Sequence, residues 1–183
     1  MVRGSPPRPS PCSNEDLEIP GEWRYTEGMP IEVSARVYIP RPRAQVFEAA
    51  AGKTAALSRY FTGFPPLIPA IVEASLEGGE PPRGGALRHV RMSDGSRIVE
   101  RILAFEAPAL HRYDMVELNP LQRILCTNMV SEWRFEEQGD GTRITWDYAV
   151  HPKPLRGPLA RVVGALLRKA MQRCLDNIAA DLR

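Results

Sequence analysis

The sequence predicts an α+β domain: a curved seven-stranded antiparallel sheet covered by one long C-terminal helix, with two short helices after the first strand. Three observations carry this. Residues 31–39, IEVSARVYI, alternate strictly, with Ile31, Val33, Ala35, Val37 and Ile39 on one face. Six further strand-like runs follow from residue 71 to residue 150, separated by short turn signals, which is the pattern of an antiparallel meander. The last segment, from Gly157-Pro158 onward, places Leu159, Val162, Val163, Leu166, Leu167, Ala170, Met171, Cys174, Leu175 and Ile178 at helical spacing.

In chain order, residues 1–30 are rich in Pro, Ser and Glu and lack periodic apolar positions, so they are expected to form a flexible tail, with Trp23 a candidate to pack on the domain that spans 31–183. After the first strand, PRPRAQVFEAAAG offers Pro42 at a first helical position and Gly52 as a stop, and TAALSRYF offers a second short helix. TGFPPLIPAI holds three prolines and is expected to be a stiff loop, either a lid over apolar surface or plain packing. The strands are then read at IVEASLE, ALRHVRM, RIVERILAF, LHRYDMVEL, ILCTNMVSEWRFE and TRITWDYAV, with GGEPPRGG, SDGS, EAPA, NPLQ and EQGDG between them. A sheet of this kind must bury one face, and the terminal helix alone is long enough to cover it. Small or polar residues at that interface would leave a hollow.

Composition narrows the function. The net charge of +2, from 24 basic and 22 acidic residues, gives no argument for a nucleic-acid partner. Cys12, Cys126 and Cys174 are odd in number and widely spaced, which suggests neither disulfides nor zinc and fits a reducing cytoplasm. The start has proline and charge where a secretory core would be apolar, and Arg161, Arg168 and Lys169 interrupt the longest greasy segment, so no membrane span is expected. No metal spacing, no Gly-rich phosphate loop and no serine-hydrolase elbow occurs, and no cofactor is expected.

The hairpin GALRHVRMSDGSRIVERI aims charge into an interior. A three-residue connection, Ser93-Asp94-Gly95 with Gly95 left-handed, pairs Met92 with Ser96 and sets Arg88 opposite Glu100. That face also holds Ala86, Val90, Met92, Ile98 and Ile102, while His89, Arg91, Arg97 and Arg101 take the other. Val99, Leu103 and Phe105 break the alternation. A two-residue turn would instead oppose His89 to Glu100 with a poorer apolar match, so the Arg88 register is preferred. Arg88 then holds a carbonyl or enolate oxygen and Glu100 shuttles a proton, or the two form a buried ion pair that fixes strand register.

Further candidates are aromatic. Trp146 and Tyr148 share a face with Ile144 and Val150, and Trp133 shares one with Met129, Ser131 and Phe135. Tyr113, whose hydroxyl needs a partner if buried, is the third polar candidate for catalysis beside Arg88 and Glu100. His111 and His151 lie near strand ends and are expected at the surface.

The element order, the hairpin phrase, the GDGTRITWDYAV strand and the closing amphipathic helix resemble the START-like helix-grip superfamily, also called SRPBCC, in its polyketide cyclase/dehydrase branch. The resemblance covers about residues 31 to 182. It implies a sheet wrapped around the last helix, enclosing a cavity for a polyketide-like, lipid-like or other hydrophobic small molecule. Val90, Met92, Ile98 and Ile102 are expected to line that cavity from the hairpin. Met129, Trp133, Trp146 and Tyr148 are expected to do so from later strands, and Leu167 and Met171 from the helix. Some lyase- and cyclase-like members carry an Arg and a Glu on the strands that hold Arg88 and Glu100, so cofactor-free cyclisation, dehydration or isomerisation is the expected activity. A non-catalytic carrier of hydrophobic ligands is the alternative. A protein-interaction module working through the basic face of the last helix is a weaker third.

Overall fold

The computed structural model describes residues 29–183; the Pro-rich start, with Cys12 and Trp23, lies outside the described residues. Strand β1 (Ile31–Ile39) leads to α1 (Arg43–Phe47), which continues as a wider π-type turn over Glu48–Gly52, and then to α2 (Ala56–Tyr60). The meander follows as β2 (Ile71–Leu76), β3 (Leu87–Met92), β4 (Arg97–Glu106) and β5 (Leu110–Glu117). A short helix α3 (Pro120–Leu125) precedes β6 (Cys126–Gln138) and β7 (Gly141–Pro152), and α4 (Gly157–Asp181) ends the fold.

All seven strands form one antiparallel sheet in the order β1-β7-β6-β5-β4-β3-β2. This is the helix-grip arrangement expected from the sequence. The inward residues of each strand are those that alternation selects: Val33, Ala35 and Ile39 on β1, Met129, Ser131, Trp133 and Phe135 on β6, and Ile144, Trp146, Tyr148 and Val150 on β7 are all buried. Helix α4 runs along β1, and Gln172 bonds both the N–H and the C=O of Arg36, which satisfies backbone groups at the sheet edge. Gly164 lets the helix approach: a Cβ there would sit 3.2 Å from the Val33 side chain.

Two features differ from the sequence reading. The stretch read as turn plus strand start, NPLQRIL, is helix α3, because Asn119 accepts from the Gln122 N–H while the Gln122 side chain accepts from the Asn119 N–H, and Pro120 sits in the first turn. The second concerns β4 and β5, whose pairing shifts register twice, between Val99 and Glu100 and between Ile102 and Ala104. Each shift leaves one extra residue, Val116 on β5 and Leu103 on β4, and both side chains turn out to solvent. The Leu103 bulge flips the parity of the strand, so Phe105 returns to the inner side, 5.2 Å from Phe47 and 5.4 Å from His111 between ring centres. That accounts for the break in alternation at Leu103 and Phe105.

Candidate functional site

The β3–β4 turn fixes the site. Gly95 has φ +83°, the N–H of Met92 donates to the Ser96 carbonyl at 2.9 Å, and Arg88 stands opposite Glu100. The three-residue connection is the one preferred from the sequence. Both charged side chains are 3% exposed, and Arg88 Nε donates to Glu100 Oε2 at 2.5 Å. The guanidinium is enclosed on two further sides. Its Nη1 lies 3.1 Å from His111 Nε2, and its carbon sits 4.6 Å over the Tyr113 ring.

His111 is buried, which corrects the expectation that it lies at the surface. The β5 register places it across from Phe105 on one side and Trp133 on the other, on the concave face two residues before Tyr113. Arginine has no acceptor, so His111 Nε2 accepts and the ring proton sits on Nδ1. Burial, and then the neighbouring Arg88 charge, hold the His111 pKa well below its ordinary value, which keeps it in that neutral form.

For Glu100, burial pushes the carboxyl up and the Arg88 guanidinium pulls it back; the balance lies above the ordinary carboxylate range. Burial also opposes the charge on Arg88, yet Glu100 and the Tyr113 hydroxyl hold its pKa above the usual guanidinium value. The Tyr113 and Tyr148 hydroxyls are 3.0 Å apart. Burial, and the negative charge of Glu100, raise both phenols, so they stay protonated, and with one O–H given to the other hydroxyl the pair has a single O–H left to donate.

In front of this cluster is a hollow of about 100 Å³ between the sheet, α3, the Leu67–Pro69 loop and the first turns of α4. Of the residues expected there, Met92, Ile98, Met129, Trp146, Tyr148 and Leu167 line it, as do Glu100 and Tyr113. Val90, Ile102, Trp133 and Met171 do not; each is buried in the packing around it. Trp133 lies against Trp146 with ring centres 4.1 Å apart, and Trp146 Nε1 donates to Ser131 Oγ at 2.8 Å, which fixes the indole that faces the hollow. Arg88 also stays off the wall, screened by Glu100 and Tyr113. The chain presents a carboxyl and two linked hydroxyls to a mostly apolar space, with Asn119 and Gln122 as the further polar side chains on its wall and the cation held behind the carboxyl. Leu121 and Leu125 of α3, with Gln122 between them, complete the wall and were not foreseen from the sequence.

Among the described residues no three His, Cys, Asp or Glu side chains gather as metal ligands. The cysteines Cys126 and Cys174 are buried thiols, Cys126 on the hollow's wall and raised by burial to about 11. No helix of the described residues is long and apolar enough to cross a membrane.

Comparison with known proteins agrees with the fold. A family model described as polyketide cyclase / dehydrase and lipid transport matches residues 30–183. No curated protein sequence matches the chain. Among solved structures, a protein of Bacillus thuringiensis described as uncharacterized superposes with a TM-score of 0.63 at 19% identity, covering 83% of this chain and 98% of that one. Ginseng major latex-like protein 151 from Panax ginseng gives 0.63 at 15% identity, covering 85% and 99%. A protein of Thermus thermophilus gives 0.62 at 19% identity, covering 83% and 97%.

Proposed function

The chain belongs to the polyketide cyclase / dehydrase and lipid transport family, and from that premise we propose that its hollow binds a small hydrophobic molecule and that Glu100 moves a proton on it. The observation that carries the reading is a carboxyl, 3% exposed and raised in pKa, set in a mostly apolar wall beside a linked pair of phenols. Such a carboxylate is a stronger base than one in water, as proton abstraction requires. Glu100 takes the proton from the carbon next to a substrate carbonyl; the C–H electron pair moves into the carbonyl and the oxygen becomes an enolate. One hydroxyl of the Tyr113–Tyr148 pair, itself accepting from the other, donates to that oxygen as its charge grows. Return of the proton to a different carbon completes an isomerisation, and its delivery to a departing β-hydroxyl, which leaves as water, completes a dehydration. Arg88 is a positioning residue here: its Nε holds one Glu100 oxygen and its charge supports the carboxylate form.

Size limits the substrate. An apolar cavity of about 150 Å³ holds benzene, so a hollow of about 100 Å³ takes a short chain as it stands and a single ring when the surrounding loop yields. The carrier reading draws on a different observation. Arg88 occupies one Glu100 oxygen and stays off the wall, as it would in an ion pair kept for strand register.

The isomerisation of 3-cyclohexen-1-one to its conjugated isomer, followed by ultraviolet absorbance, tests the two readings together. The expected result is turnover by the wild-type chain and a loss of roughly 10²-fold or more in Glu100→Gln, with the ketone still bound. Full activity in Glu100→Gln removes the proposed base. A wild-type chain that binds the ketone without converting it or exchanging its α-protons leaves the carrier.

A further inference from the structure

The hollow reaches solvent at one end of the molecule, where Leu67 both lines it and is half exposed. Four other large apolar side chains stand exposed at this end. Ile124 projects from α3, Leu159 and Val162 from the first turns of α4, and Leu155, 99% exposed, from the turn before it. They form one surface. The N–H of Lys153 donates to the Leu125 carbonyl at 2.9 Å, which ties that turn to the end of α3. On the other side, Lys169 and Arg173 each lie 5.4 Å from the centre of the Phe64 ring, so the 62–70 loop packs on that stripe of α4. Helical steps of three and four carry the same stripe from Arg173 through Lys169 and Leu166 to Val162 and Leu159.

The charge on this end has one sign. From His151 to Leu175 the chain holds Lys153, Arg156, Arg161, Arg168, Lys169 and Arg173 and no Asp or Glu, α3 adds Arg123, and residues 61–72 carry no charge at all. In a chain whose net charge is only +2, that is a strong local asymmetry. The acidic groups are spent elsewhere, in pairs such as Arg91–Glu73, Arg101–Asp114 and Arg134–Asp147 on the outer face of the sheet. Among the described residues Lys153, Arg156, Arg161 and Arg168 form no ion pair.

We infer that this end of the molecule docks on an anionic lipid bilayer, its exposed aliphatic side chains entering the headgroup boundary while the surrounding arginines and lysines face lipid phosphates. The apolar groups are spaced one per turn among cations, which suits partial insertion into an interface better than closure over a protein groove. The mouth of the hollow opens inside the docked area, so an apolar ligand passes from one hydrocarbon environment to another without crossing water. The surface does not depend on what Glu100 does.

The test is co-sedimentation of the full chain with vesicles of phosphatidylcholine alone and of phosphatidylcholine with one-third phosphatidylglycerol. Binding is expected to the anionic vesicles, weak to the neutral ones, and to fall steeply as salt shortens the screening length. Arg156→Gln with Arg161→Gln is expected to weaken it by roughly 25-fold, at about fivefold per charge. Leu155→Glu with Val162→Glu, both at exposed positions, is expected to weaken it about tenfold or more with the thermal midpoint unchanged. Met92→Trp, which fills the hollow, should bind vesicles as the wild type does, which separates this surface from the ligand reading. No binding to anionic vesicles at low salt overturns the inference. So does equal binding by the Leu155/Val162 variant, which would reduce the effect to charge alone, or tighter binding to poly-glutamate than to vesicles, which would point to an acidic protein partner.

Discussion

Removing either half of the Arg88–Glu100 pair should destabilise the fold, but with different pH dependence, because only one of the two survivors can shed its charge. Both side chains are 3% exposed, so solvent screening does not soften the loss, and breaking a buried pair by deleting one partner costs about 3–5 kcal/mol. In Glu100→Gln the guanidinium remains, and arginine cannot be deprotonated in this range. Its penalty is therefore flat from acid to neutral pH. In Arg88→Met the carboxyl remains and escapes by binding a proton. Holding a carboxyl of ordinary pKa 4.5 protonated at pH 7 costs about 3.4 kcal/mol, and about 1.4 kcal/mol less for each unit that the pH falls. The sign follows from the raised folded-state pKa of Glu100: stability from the protonated form is complete below the unfolded value and lost as pH climbs through the folded one. Urea titrations of both variants and the wild type between pH 4.5 and about 8 read this directly. Toward acid this site should add several kcal/mol to the stability of Arg88→Met, less to that of the wild type, where Arg88 pulls the Glu100 pKa back, and nothing to Glu100→Gln. Two parallel flat deficits, or deficits near zero, would refute the picture of a desolvated pair.

Other expectations are simpler. Met92→Trp places bulk in a hollow of about 100 Å³, and native mass spectrometry or calorimetry should find apolar ligand binding abolished with the fold retained. Tyr113→Phe keeps the ring under Arg88 but removes a hydroxyl paired with Tyr148; a stability loss of about 1 kcal/mol should accompany a larger fall in kcat than in ligand affinity. Ser131→Ala strips the acceptor from the buried Trp146 N–H and should cost about 1–3 kcal/mol in thermal or urea unfolding. With a convertible substrate, kcat/KM should rise with pH through a value above the ordinary carboxylate range, since the base must be ionised and burial raises Glu100.

The elements that were legible in the sequence are those whose signal is local. Alternation in β1, β6 and β7 and the apolar stripe of α4 gave the layers, and the Asp94-Gly95 turn gave the register that joins Arg88 to Glu100. What escaped has identifiable physical reasons. Helix α3 is only six residues long, so it shows no apolar period, although its Asn119…Gln122 capping pattern with Pro120 was readable. His111 lies only one residue inside the start of β5, which reads as an end; the period of two from Tyr113 would have turned it inward. The bulges at Leu103 and Val116 depend on how two strands pair, and neither strand alone encodes that. The size of the hollow depends on side-chain packing at every wall, which a strand pattern does not determine. Arg88's retreat from the wall has the same origin: its contacts to His111 and Tyr113 come from a strand not adjacent to its own.

The hollow also makes the molecule compressible. The part of the hollow of about 100 Å³ that water leaves empty counts as void, at most roughly 60 mL/mol, within the range of volume lost when proteins unfold under hydrostatic pressure. Each 100 MPa then tilts the equilibrium by at most about 1.4 kcal/mol toward the denatured chain, if the whole void is eliminated. An occupant of any chemical kind that fills the space removes this susceptibility, so barostability reports tenancy even where the tenant is unknown.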